Sequence, residues 1–160
     1  MNISRRHDDP DGTLAALFAG YRSFYGREDR QAEAAAFLRQ RLDSGDSLIW
    51  TADVRGTPIG FVQVYPSHSS LDVSTQWTLN DLFVAPEGRR SGVARALIRQ
   101  VLESASAAGV SLVRLETAPS NEAARRLYEA EGFSMPSDEP NADGYLVYEW
   151  TDATSTVDRS

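Results

Sequence analysis

Residues Leu82-Phe83-Val84-Ala85-Pro86-Glu87-Gly88-Arg89-Arg90-Ser91-Gly92-Val93-Ala94 run from an apolar, strand-like segment through a short basic turn into a helical pattern. Such a turn can hold an anion. The first four N–H groups of a helix have no partner within it, and the aligned peptide dipoles add about half a positive charge there. Phosphate fits that position without further help. Gly92 has no Cβ to obstruct a diphosphate approaching the backbone, and Arg89 and Arg90 offer two cations to phosphate oxygens. An ordinary strand-to-helix turn with solvated arginines accounts for the same residues. Neither Gly-x-x-x-x-Gly-Lys-Ser/Thr nor Gly-x-Gly-x-x-Gly occurs, so nucleotide hydrolysis and dinucleotide binding by their usual routes lose support.

Three further residues stand out. Asn121 and Tyr128 are seven positions apart, two helical turns, so they share a helix face with ~10 Å between them along the axis. An extended ligand could lie along that face, although Asn121 can equally be a helix N-cap. Asp81 has the strand parity of Trp77, Leu79 and Phe83, which directs its carboxylate along an apolar line unless the strand bulges. A carboxylate there must be paired, raised in pKa, or facing a cleft.

The turn and the later helix together resemble the GCN5-related N-acetyltransferase superfamily. Its first signature, Arg/Gln-x-x-Gly-x-Gly/Ala after a strand, is matched by Arg89-Arg90-Ser91-Gly92-Val93-Ala94. Its second, an Asn followed by a helix with Leu-Tyr and ending in Gly-Phe, is matched by Asn121, Leu127-Tyr128 and Gly132-Phe133. Arg90, where many relatives carry Gly, and Ala94, in place of the final Gly, are departures. The resemblance is close over residues 79 to 133, and it implies an enzyme that uses acetyl-CoA as cosubstrate, without a metal, to acetylate a primary amine.

The resemblance also implies roles. The backbone of Leu82, Phe83 and Val84 would bind the pantetheine arm, with the Phe83 or Val84 N–H on the thioester oxygen. Arg89 to Ala94, with Gly92 and Val93 among them, would bind the diphosphate, and Asn121 would hydrogen-bond the pantetheine. Tyr128 would donate its proton to the departing thiolate. Asp81 stands where relatives hold a carboxylate that takes the amine's proton, directly or through water, with Glu116 as its rival; an ion pair of Glu116 with Arg114 or Arg125 is the structural alternative. Tyr25, at the end of the segment Tyr21-Arg22-Ser23-Phe24-Tyr25-Gly26, is expected to face the acceptor, whereas Tyr21 and Phe24 are expected to pack in the core. His68 is a weaker candidate for lining the acceptor pocket. Small-molecule acceptors are favoured; the alternatives are a protein or peptide acetyltransferase and a non-catalytic acyl-CoA sensor.

Composition sets the bounds. The chain has 160 residues, 41% hydrophobic, which suits one domain over residues 1–150 with a real core. It has no cysteine, which excludes disulfides and a cysteinyl acyl-enzyme. Its two histidines, His7 and His68, form no recognisable metal spacing. A net charge of −7 argues against nucleic acid and modestly favours cationic acceptors. With no apolar leader or membrane-length run, a soluble, cytoplasmic protein is expected, and homodimerisation follows by analogy, with the strand near Tyr145 to Trp150 a candidate edge.

These residues must be positioned by an α/β fold: a mixed, mostly antiparallel twisted sheet of six to seven strands flanked by about four helices. Strands are expected at Asn2–Arg5, Leu48–Val54, Ile59–Tyr65, Gln76–Val84, Ser111–Thr117, from Phe133, and at Tyr145–Trp150. Helices are expected from Leu14 to Tyr25, Arg30 to Ser44 and Gly92 to Ala108, and after Asn121. Pro66 to Ser70 reads as a loop, and the tail from Thr151 as disordered.

Overall fold

The structure, a computed structural model, describes residues 1–153. The tail expected to be disordered lies outside the described residues from position 154 onward. Six strands form one sheet in chain order: β1 (Asn2–Arg6), β2 (Leu48–Val54), β3 (Thr57–Ser69), β4 (Ser74–Val84), β5 (Leu112–Thr117) and β6 (Leu146–Trp150). All neighbours are antiparallel except β4 and β5, which are parallel. The crossover between those two is α3 (Val93–Ala107), as a parallel pair requires.

Two apolar cores lie on opposite faces. Helices α1 (Thr13–Phe24) and α2 (Gln31–Ser44) bury Leu14, Leu17, Phe18 and Leu38 against Ile49, Phe61 and Phe83. On the other face α3 and α4 (Glu122–Ala130) close over Trp50, Val62, Val64, Trp77 and Leu79. The stripe Val93, Leu97, Ile98, Val101, Leu102 and Ala105 carries α3 onto the sheet, following the three- and four-residue period of its apolar positions. The sheet thus separates two helical layers.

Several boundaries differ from expectation for physical reasons. Pro66 to Ser69 is strand, because β3 and β4 form a long hairpin out to the pair Ser69 and Ser74. Pro66 is tolerated there because β2 pairs with β3 no further than Val64, so the missing N–H lies on an open side of the ladder. The β2–β3 turn is the two-residue loop Arg55-Gly56, both at positive φ (52° and 79°), which matches strand twist. The strand expected from Phe133 reduces to a single bridge between Ser134 and Glu149.

Candidate active site

Strand β4 is paired with β5 only at Gln76, Trp77 and Thr78. Beyond Thr78 the two strands part, and the wedge between them opens into a cleft of about 400 Å³. Ala85 N–H donates to the Ile59 carbonyl on β3 at 2.8 Å. Alternation along the strand therefore turns the N–H and C=O groups of Val84 and Leu82 away from β3, into the wedge. Phe83 directs its own toward β3, opposite Phe61. Of the two amides left open by the sequence, Val84 thus has the free direction.

The turn after β4 feeds one end of this cleft. A single 3-10 turn, Pro86–Gly88, leads to Arg90 at φ 57° and to Gly92 at φ 82°, the N-cap of α3. A Cβ on Gly92 would meet nothing within 4 Å, so glycine is required by the left-handed backbone and not by crowding within the protein. The first turn of α3 has no side-chain cap and no acidic residue, so its N–H groups remain available to an anion. Ala94 lines the cleft, while Val93 is buried in the core and Ser91 donates to the Gly88 carbonyl at 2.5 Å. Arg89 reaches into the cleft: its Nε donates to the Val84 carbonyl at 3.0 Å and its guanidinium lies over Phe24 and Phe83. Arg90 is exposed, does not line the cleft and makes no ion pair among the described residues.

Helix α4 forms the opposite wall. Asn121 is its N-cap, accepting from Ala124 N–H at 3.3 Å, and it also lines the cleft, so capping and ligand contact are compatible. Tyr128 lines the same wall two turns on. Its ring packs against Phe133 and Tyr148, and burial, with a smaller contribution from Tyr25, pushes its phenol up to about 12. It therefore carries its proton throughout the neutral range.

Part of the cleft wall is aromatic. Tyr21, Phe24 and Tyr25 of the α1 end and Tyr145 before β6 line it, with Asn80 and Glu116. Tyr21 packs on the core as expected, with its ring against Phe18, Phe61 and Phe83, and also borders the cleft; Phe24, expected in the core, is 62% exposed and faces the cleft. Glu116 is exposed and is shared between Arg114 at 3.5 Å and Asn141 Nδ2 at 3.1 Å, whereas Arg125 serves Tyr148 and the Pro119 carbonyl. His68 does not join this group. It sits far along the β3–β4 hairpin beside Thr75, lining a separate, broader depression with Gly109 and Ser111.

Asp81 occupies an unusual place. Gln63 pairs with Asp81 and Val64 with Leu79, which leaves Asn80 as the extra residue of a bulge. Trp77 and Leu79 face the α3 layer, but after the bulge Asp81 and Phe83 face the α1 layer. Asp81 is 4% exposed and stands behind the cleft wall formed by Asn80 and Tyr21. Gln63 Nε2 donates to its Oδ2 at 2.6 Å, Asn80 Nδ2 to its Oδ1 at 3.1 Å, and Ser47 Oγ donates to Gln63 Oε1 at 2.9 Å. Sequence reasoning missed Gln63 and Ser47. A fully polar amide among Phe61, Val62 and Val64 was the available signal.

Among the described residues no helix is long and apolar enough to cross a membrane, and no group of three or more His, Cys, Asp or Glu could hold a metal ion.

Comparison with known proteins places this geometry. The model of the Acetyltransferase (GNAT) family matches residues 14–133. An uncharacterized N-acetyltransferase of Bacillus subtilis, YhfO, is 37% identical over 133 residues, covering 83% of this chain and 89% of its own. The crystal structure of a probable acetyltransferase superimposes with a TM-score of 0.79 at 35% identity, covering 88% of this chain and 95% of that one. At 17% identity, and so for the fold alone, the PaiA N-acetyltransferase of Thermoplasma acidophilum in complex with coenzyme A gives a TM-score of 0.66 over 95% of this chain and all of its own. The parted β4–β5 wedge, the open helix N-terminus and the matched span from α1 to Phe133 agree: the chain belongs to the GNAT family of acetyltransferases.

Proposed function

We propose that this acetyltransferase carries the acetyl group of acetyl-CoA to the primary amine of a small molecule, by direct attack with both substrates bound. The observation that carries the reading is the single cleft that joins the open α3 N-terminus, the unpaired edge of β4, Tyr128 and an aromatic acceptor end backed by Asp81. The α3 N-terminus would take the diphosphate, and the Val84 and Leu82 backbone would take the pantetheine arm. An N–H in that edge polarises the thioester carbonyl where charge develops. Arg89 must leave the Val84 carbonyl for the arm to bind there.

Tyr128, holding its proton firmly, suits the donor to the departing thiolate. Asn121 suits the contact to the arm. Asp81 supplies the negative field that attracts an ammonium and accepts the proton it must lose. The chain has neither cysteine nor lysine, so no thiol or side-chain amine can carry the acetyl group between substrates.

Titration calorimetry with acetyl-CoA, followed by a panel of small primary amines monitored for free thiol, tests the reading. Stoichiometric binding and thiol release with at least one amine are expected. Binding without turnover of any amine, together with acetylation of a protein or peptide, would contradict it.

A further inference from the structure

Asp81 is hidden from the cleft it should serve. Both of its oxygens are held by amides, from Gln63 and from Asn80, and no cation pairs with it among the described residues. A buried carboxylate in this state depends on those hydrogen bonds. The Gln63 amide is locked in orientation by Asp81, because turning it over would set an amide oxygen against the carboxylate, whereas the Ser47 hydroxyl can serve either end of the amide. These contacts hold Asp81 but give it no path to a substrate.

Tyr21 provides one. It lines the cleft, its ring is packed edge-on against Phe61 and Phe83 on the face of the sheet that Asp81 shares, and its hydroxyl feels the Asp81 carboxylate. Burial first, and that carboxylate second, hold its proton well above the usual phenol range. A phenol that keeps its proton can offer that hydrogen to a carboxylate and its oxygen lone pairs to a donor in the cleft. Tyr25 at the end of α1 and Tyr65 on β3 also feel the Asp81 charge, and Arg41 and Asp46 flank Tyr65. Of these phenols, Tyr21 lines the cleft and packs its ring on Phe83, two residues along β4 from Asp81 and on the same face.

We propose that Tyr21 is a catalytic residue, its hydroxyl relaying a proton from the acceptor ammonium to Asp81, with Gln63 and Ser47 as positioning residues for that carboxylate. The proposal rests on the reading of Asp81 as the acceptor of the amine's proton. One N–H bond of the ammonium breaks as its proton moves to the Tyr21 oxygen, and the Tyr21 O–H bond breaks as that proton moves to an Asp81 oxygen. The nitrogen keeps its electron pair, the carboxylate becomes a carboxylic acid, and the phenol ends as it began. The reverse path returns the proton to solvent after product release.

The test is Tyr21→Phe, which keeps the ring and deletes the hydroxyl, assayed with amines of similar size graded from weakly basic alkoxyamines to strongly basic alkylamines. A loss of roughly 10²-fold in kcat/KM is expected for alkylamines, shrinking toward none for alkoxyamines, which are already neutral at the assay pH. The KM for acetyl-CoA should not change. An equal loss for every amine, or none, overturns the relay. Site-specific fluorotyrosine at position 21 keeps the fold while weakening the phenol oxygen as a base; it should slow alkylamines only, and an unchanged alkylamine rate also overturns the relay. Asp81→Asn is assayed alongside. If its loss is graded by basicity while that of Tyr21→Phe is not, the relay fails and the reading of Asp81 stands. If the Asp81→Asn profile is flat, the reading of Asp81 itself fails.

Discussion

Tyr128 and Asp81 show how burial sets two polar groups in different surroundings, one on the cleft wall and one behind it. The phenol is pushed up to about 12 chiefly by burial, so it keeps a proton to give. The carboxylate is wrapped in amide donors, from Gln63 at 2.6 Å and Asn80 at 3.1 Å. Tyr128→Phe should lower kcat by roughly 10²-fold while acetyl-CoA affinity by calorimetry stays within about twofold, because the deleted hydroxyl acts on the leaving group. Equal weakening of affinity and kcat would instead mark Tyr128 as a packing residue. Gln63→Leu tests the buried amide: it strands the Ser47 hydroxyl and one Asp81 oxygen, and should cost about 1–3 kcal/mol in a denaturant melt. A variant as stable as the parent would show that water replaces the lost partner.

At the scale of elements, the parting of β4 from β5 and the turn into α3 do the positioning. Gly92→Ala must force a Cβ into φ 82°, at a cost of about 1–2 kcal/mol, and should weaken acetyl-CoA binding as the first turn of α3 tilts. Undiminished binding would separate the diphosphate from that turn. Much of this arrangement was readable in advance, since the basic turn, the apolar stripe of α3 and the pair Asn121 and Tyr128 each follow from local spacing. The bulge at Asn80 was not, because it depends on the register of β4 against β3, which lies in two segments at once. The strand does bulge, the exception left open for Asp81, so it shares a face with Phe83 but not with Trp77 and Leu79, and its partner Gln63 went unnoticed. His68 was misplaced for a related reason: Pro66 reads as a loop unless one knows that β2 has already ended beside it.

Across the whole molecule, phenols on three elements, Tyr21 on α1, Tyr65 on β3 and Tyr128 on α4, are half-buried or buried. Burial leads the causes that raise Tyr21, Tyr65 and Tyr128, with Tyr65 and Tyr128 each at about 12 and Tyr21 higher still. An unfolded tyrosine ionises near ~10. The stability these phenols contribute is therefore complete below that value and is lost as pH climbs from there through about 12. Ultraviolet titration of phenolate should show the buried tyrosines ionising late and together with unfolding. Smooth ionisation of all six tyrosines near ~10 in a still-folded protein would contradict the burial of these three.

The most direct test of the account is a crystal structure of the protein with coenzyme A bound. The diphosphate should rest on the N–H groups that open α3 after Gly92, with the pantetheine arm between β4 and β5, Arg89 withdrawn from the Val84 carbonyl, and the sulfur beside the Tyr128 hydroxyl. Coenzyme A bound outside the β4–β5 wedge, or with its sulfur remote from Tyr128, would contradict it.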